Sequence, residues 1–310
     1  MAPRALVTGA TGFVGQRLAQ TLLDSGARVR CLVRDPAAAA ALARSGAEIR
    51  RGDVTDESSL NGLGNDIDAA YYLIHSMADG PGFRERERLG AVNFARMARH
   101  EGVSRVVYLG GLGDSPSSTH LLSRHDTAAA LAHEGPRLTY FRAGMIVGAG
   151  SESYRTLRYL VKRLPVMIAP RWLRTATQPV GIDDAVAYLA RAPEIPGSAG
   201  REVQIGGPDI LSYGAMLDRM ALAMGVRPRP KLPVPLITPW LSALWLGLVT
   251  PVDTKVARPL VEGLTTETVV TDPSGARLFP IEPLGFDETL RMALAEELPP
   301  GADATSSRWN

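Results

Sequence analysis

Three glycines stand where they could do chemistry. Gly9, Gly12 and Gly15 lie in Thr8-Gly9-Ala10-Thr11-Gly12-Phe13-Val14-Gly15, directly after the apolar run Arg4–Thr8 and at the opening of a helically periodic segment, Gly12–Ser25. Each has a physical task. Gly9 allows a tight turn, Gly12 lets a phosphate group approach the backbone, and Gly15 lets the helix pack closely on the strand. The helix start adds free N–H groups and a positive dipole end. A lone glycine motif is weak evidence, but its place between a strand and a helix is the context that makes it a pyrophosphate cradle. The residues expected to touch a nicotinamide dinucleotide here are Gly9, Thr11, Gly12, Phe13, Val14 and Gly15. The bland alternative is a tight strand–helix turn with nothing bound.

Two further positions bear on which dinucleotide. Arg34 ends the second apolar run, about 20 residues past the loop, where NAD-binding proteins keep an acidic residue for the ribose hydroxyls. Arginine cannot accept those hydrogen bonds. Its planar fork can pair with a 2′-phosphate, which favours NADP(H) over NAD(H). Without a ligand, Arg34 would be a solvated strand-end charge. Gly52-Asp53-Val54 follows the third run. Asp53, with Val54 beside it, can accept from an adenine amino group or simply close an Asx turn.

Strand and helix signals alternate through the first half. Strands are expected at Arg4–Thr8, Arg28–Val33, Glu48–Arg51, Ala69–Ile74, Arg105–Leu109 and Arg137–Arg142, with helices over Gly12–Ser25, Ala37–Ser45, Phe83–Glu101 and Ser123–His133. This rhythm predicts an α/β Rossmann fold, a doubly wound parallel sheet flanked by helices. From about Gly148 the rhythm is lost and prolines become frequent; a strand at Glu202–Ile205 and a helix at Tyr213–Met224 follow. The expected organisation is a Rossmann core over 1–147, a smaller C-terminal substrate lobe over 148–298 with pieces returning to the core, and a frayed tail over 299–310.

Bulk properties exclude some functions. Of 310 residues, 45% are hydrophobic and 21% charged, and the net charge is +2. That is ordinary globular composition, with no basic footprint for nucleic acid. Lysine occurs only at Lys162, Lys231 and Lys255, a pattern closer to coding bias than to function. The single cysteine, Cys31, supports neither a disulfide framework nor a cysteine metal site, and no metal is expected. The N-terminus lacks the apolar core of a signal peptide, so a cytoplasmic location is expected. Leu232–Val252 is apolar, but Pro233, Pro235, Pro239 and Pro251 argue against a membrane span. It reads as a buried lobe wall, or else as a membrane-surface or partner contact using Trp240 and Trp245. The oligomeric state is not legible.

The spacing of the glycine loop, Arg34 and Gly52-Asp53-Val54-Thr55-Asp56 resembles the extended and atypical short-chain dehydrogenase/reductases. Later segments narrow this: Arg142–Ser151, Arg163–Trp172, Thr177–Leu189, Gln204–Tyr213 and Pro233–Val252. They resemble the NmrA-like NAD(P)-binding oxidoreductases, a subgroup related to the accessory dehydrogenase-like subunit of respiratory complex I. The resemblance runs from about Arg4 to Leu294. In the wider family a serine, a tyrosine and a lysine run the hydride chemistry. The Tyr-x-x-Ser-Lys pattern falls here on His120-Leu121-Leu122-Ser123-Arg124, and the serine position falls within Leu109–Gly113, which carries no hydroxyl. Two readings stay open. His120 is an alternative general acid, since imidazole titrates near neutrality, and Arg124 holds the ribose. Alternatively the site binds cofactor without efficient proton transfer, as a redox sensor or assembly protein. His125 is a weaker acid candidate.

The resemblance also implies that Leu73, Ile74 and His75 flank the adenosine ribose. It puts Ala143, Gly144 and Met145 along the nicotinamide and Gly110 and Gly111 among the cofactor-binding residues; for the two strand ends at Leu73–His75 and Ala143–Met145 the alternative is simple packing. Leu112, Tyr154 and Trp172 would line a pocket for a small hydrophobic substrate. Asp183 is expected to cap a helix rather than to form a catalytic pair with Asp184.

Overall fold

The apolar run at the start of the chain forms β1 (Arg4–Thr8), buried from Ala5 to Thr8. A strand buried on both faces needs no polar alternation, which is why the run is continuous. The computed structural model describes residues 2–74, 82–113, 119–233 and 265–297, except for the side chains at 119, 120, 168, 169 and 233.

After β1 come α1 (Phe13–Asp24), β2 (Arg28–Val33), α2 (Ala40–Arg44), β3 (Glu48–Arg51) and β4 (Ala69–Tyr72). Next are α3 (Phe83–His100), β5 (Arg105–Gly111), α4 (Thr119–Glu134) and β6 (Arg137–Ala143). Shorter pieces follow: β7 (Ile146–Val147), α5 (Glu152–Arg163), β8 (Met167–Ala169), β9 (Ala176–Thr177) and β10 (Val180–Gly181). The rest are α6 (Ile182–Arg191), β11 (Arg201–Ile205), β12 (Leu211–Ser212), α7 (Tyr213–Ala223), β13 (Lys231–Pro233) and α8 (Phe286–Glu296).

Two compact units divide the chain. The first comprises residues up to Ala143, together with Ala185–Ile205 and Val270–Ile281. Its seven-stranded sheet has the order β11-β6-β5-β4-β1-β2-β3, and every pairing in it is parallel. The strand order reverses between β1 and β4, and in open α/β sheets the carboxyl ends at such a point form the binding crevice.

Side-chain layers follow from the register. Tyr72, Tyr108 and Tyr140 stand opposite one another on β4, β5 and β6. Tyr108 stacks on Tyr140 at 5.2 Å between ring centroids, and Tyr72 packs on Phe94 of α3 at 5.1 Å. Burial pushes the Tyr72 and Tyr108 hydroxyls well above their ordinary pKa, so they stay neutral. Elsewhere in this unit Phe141, Tyr188 and Phe279 form a ring cluster, with centroids 5.3–6.2 Å apart.

The second unit comprises Gly144–Asp184, Gly206–Val269 and residues from Glu282 onward. Its core gathers Tyr154, Leu157 and Leu160 of α5, Met216 and Met220 of α7, and Phe286 and Leu290 of α8. Ser151 and Ser212 cap α5 and α7, accepting from Tyr154 N and Ala215 N. Asp183 is not the helix cap that the sequence leads one to expect. Because α6 begins at Ile182, it sits inside the first turn. Both acids there complement the helix dipole, and Asp184 Oδ2 accepts from Leu284 N at 2.9 Å.

Candidate functional site

The glycine loop occupies the carboxyl end of β1. Gly9 has φ +66°, and a Cβ built on it would lie 2.4 Å from Leu73 O at the end of β4. A Cβ on Gly15 would lie 2.2 Å from Gly9 O, so α1 touches the turn directly. Gly12 differs. Its Cβ would meet only Gly9 O, at 3.2 Å, and its N–H donates to that oxygen at 2.9 Å. Gly12 is the N-cap of α1 and supplies no side-chain acceptor to the first-turn N–H groups. Two of the glycines are therefore demanded by the fold, and the third leaves the helix start open. Those are the features a pyrophosphate needs.

Thr8 ties the switch point together. Its buried hydroxyl donates to Tyr71 O at 3.1 Å and accepts from Leu73 N at 3.2 Å. Sequence reasoning did not single out Thr8; a hydroxyl ending a buried apolar strand was the available signal. Leu73 is buried and Ile74 half-buried at the end of β4. His75 lies outside the described residues.

Arg34 is exposed at the end of β2. Gly52 N donates to Val33 O at 3.0 Å, which brings the Asp53 turn alongside that strand end. Asp53 forms the Asx turn: its Oδ1 accepts from Thr55 N at 2.9 Å and from Thr55 Oγ1 at 2.8 Å. Partial burial raises its pKa, but the two Thr55 hydrogen bonds and the Arg34 charge outweigh that and hold the carboxyl below its ordinary value. Val54 turns inward, against Gly90, and its carbonyl accepts from Asn93 Nδ2 at 3.0 Å.

At the end of β5, Gly110 and Gly111 also have steric reasons. A Cβ on Gly110 would lie 2.8 Å from Tyr140 Oη. One on Gly111 would lie 3.0 Å from Arg124 Nη1 and 2.9 Å from Leu121 Cδ2. The Arg124 guanidinium therefore sits over the carboxyl end of β5, where the resemblance places the ribose-holding cation. His120 is in the first turn of α4, and its side chain lies outside the described residues. The Ser123 hydroxyl, 1% exposed, donates to Glu87 Oε2 of α3 from the start of the next turn. His125 Nε2 lies 3.4 Å from Gly113 O.

The remaining expected residues fall in two places. Leu112 is buried, and its N–H donates to Ala143 O at 2.8 Å, joining the ends of β5 and β6. Gly144 and Met145 belong to the second unit, where Gly144 packs beneath Thr268 O and Gln178 O and Met145 O accepts from Val180 N. Tyr154 and Trp172 are buried in that unit's core. Tyr154 Oη donates to Glu297 Oε2 at 3.3 Å, and the Trp172 ring meets Tyr213 edge-on at 6.2 Å. In this structure both are packing residues. Of Leu232–Val252, only Leu232 and Pro233 lie within the described residues, and Leu232 is exposed. Among the described residues there is no cluster of metal-ligating side chains and no helix long and apolar enough to cross a membrane.

The fold and the glycine loop are those of a Rossmann dinucleotide-binding domain. Residues 9–141 match a family model described as NAD(P)H-binding. The chain is 27% identical to subunit 9 of the NADH dehydrogenase [ubiquinone] 1 alpha subcomplex of Arabidopsis thaliana, over 86% of this chain and 71% of that protein. It is 29% identical to quinone oxidoreductase 2 of Escherichia coli, over 44% of this chain and 47% of that protein. A crystal structure of an NADPH-dependent quinone oxidoreductase from Escherichia coli, complexed with NADPH, shares the fold. Its TM-score is 0.72 at 19% identity, covering 93% of this chain and 98% of that one. Residues 9–141 thus resemble an NAD(P)H-binding domain, and the chain is similar along most of its length to the Arabidopsis subunit.

Proposed function

We propose that the protein is an NADP(H)-dependent oxidoreductase acting on a small hydrophobic molecule, with quinones the first class to test. The carrying observation is the loop at the end of β1. Gly12 leaves the start of α1 open, while Gly9 and Gly15 are filled by Leu73 O and Gly9 O. The residues fit the cofactor. The first-turn N–H groups of α1 would hold its pyrophosphate, and the exposed Arg34 fork would pair with a 2′-phosphate. The name of the Escherichia coli relative supports the substrate class.

When bound, the nicotinamide supplies a hydride. Arg124, over Gly111, would hold the adjoining ribose. His120 would deliver the proton that accompanies the hydride. The Ser123–Glu87 hydrogen bond would keep that helix turn in place.

The test is NADPH oxidation with quinones, enones, aldehydes and ketones. Turnover that collapses in His120→Phe supports the proposal. NADPH binding with no turnover across the panel favours a second reading, a cofactor-binding sensor or assembly protein. That alternative is favoured by the Arabidopsis relative, named as a subunit of a larger assembly, and by the resemblance, which would put His120 and Arg124 where the wider family keeps tyrosine and lysine.

A further inference from the structure

Arg142 is a charged residue inside β6 and only 4% exposed. A buried guanidinium is costly unless its N–H groups are satisfied. Its Nε donates to Gly111 O at 3.1 Å and its Nη2 to Gly113 O at 2.9 Å. Its Nη1 pairs with Glu202 Oε1 of β11 at 2.8 Å. Glu202 Oε1 also accepts from Gln204 Nε2 at 3.3 Å. The Gln204 carbonyl oxygen in turn accepts from Thr271 N, Thr271 Oγ1 and Asp272 N. A polar network therefore links the carboxyl ends of β5 and β6 to Glu202 and Gln204 of β11 within the first unit.

The strand end it grips carries few side chains of its own. Gly110, Gly111 and Gly113 bring no side chains, and Gly113 sits at φ +108°. The His125 ring nitrogen also lies near the Gly113 carbonyl, at 3.4 Å. We propose that Arg142, braced by Glu202, is a positioning residue for the nicotinamide end of the cofactor. It acts by fixing the Gly111 and Gly113 carbonyls and, through Gly111, the seat of Arg124. This rests on the dinucleotide reading above. Arg34, at the end of β2, lies on the other side of the switch point, separated from β6 in the sheet by β1, β4 and β5. Loss of the clamp therefore disturbs one half of the cofactor and spares the other.

The experiment compares two probes by calorimetry: NADPH, and adenosine 2′,5′-bisphosphate, which carries only the adenosine half. The variants are Arg142→Met and Glu202→Gln, with thermal unfolding measured alongside. Arg142→Met is expected to weaken NADPH by about tenfold or more, since small misplacements of a seat carry large penalties, and to leave the bisphosphate unchanged. Glu202→Gln keeps an acceptor for Nη1 and is expected to show a smaller loss of the same selective kind. It carries the test alone if Arg142→Met does not fold. Equal loss of both probes, or no loss of either, overturns the proposal. Wild-type protein that binds neither probe overturns the dinucleotide reading and this inference with it, an outcome separate from the first two.

Discussion

The Cα of Gly9 faces the carbonyl oxygen of Leu73 so closely that a Cβ would stand 2.4 Å from it. The turn after β1 is thus wedged against the end of β4, at the point where the sheet order reverses. Gly9→Ala must both adopt a positive φ, costing about 1–3 kcal/mol, and push this backbone apart. Gly15→Ala meets Gly9 O at 2.2 Å and strains the same turn. Both variants are expected to lower the unfolding midpoint, as read by circular dichroism.

Gly12→Ala separates stability from binding. Its Cβ would be 3.2 Å from Gly9 O, a contact that a small shift relieves. The variant is expected to melt close to wild type while binding NADPH at least about tenfold more weakly, because the methyl group occupies the approach to the backbone. A fluorescence titration beside a melting curve checks both halves.

Arg34→Ala tests the cofactor choice. Hydrogen bonds to charged groups are worth roughly 1.5–3 kcal/mol, so NADPH affinity should fall roughly 10- to 100-fold while NADH affinity is unchanged. Equal loss for both would refute the 2′-phosphate role.

Gly111→Ala puts a methyl group against Leu121 Cδ2 and Arg124 Nη1, both ends of side chains that can swing aside. Folding should survive, with the midpoint falling by less than about 4 °C. Displacing Arg124 should lower NADPH-dependent turnover several-fold, as measured at saturating quinone.

Asp53 gives a pH test. Its folded-state pKa lies below the ordinary value, so its stabilising effect is present above the unfolded pKa and is lost as pH falls through the folded one. Asp53→Asn should therefore be less stable than wild type at neutral pH, and the gap should close below about pH 4, near the reference pKa of Asp. Urea unfolding across that range measures it.

Much of the first unit is legible in sequence. β1, β2 and β3 fall on the residues expected, Arg4–Thr8, Arg28–Val33 and Glu48–Arg51, because short strands between glycine turns have sharp edges. The glycine loop is legible because each glycine answers a local steric demand. The second unit is less so: several of its strands are two or three residues long, below the length at which a period can be seen. Tyr154 and Trp172 look like pocket residues in sequence, yet they pack in the second unit's core. The Arg142 network joins residues up to 130 positions apart along the chain, from Arg142 to Asp272. Its one local sign is an arginine within an otherwise buried strand.

The most direct test is a single-turnover experiment. Purified protein is mixed with NADPH and a quinone, and the loss of NADPH absorbance is followed for wild type and His120→Phe. Wild type is expected to oxidise NADPH stoichiometrically and the variant about 10²-fold or more slowly, the scale of a lost general acid. NADPH that binds tightly and is never oxidised by any acceptor in the panel would contradict the proposed function.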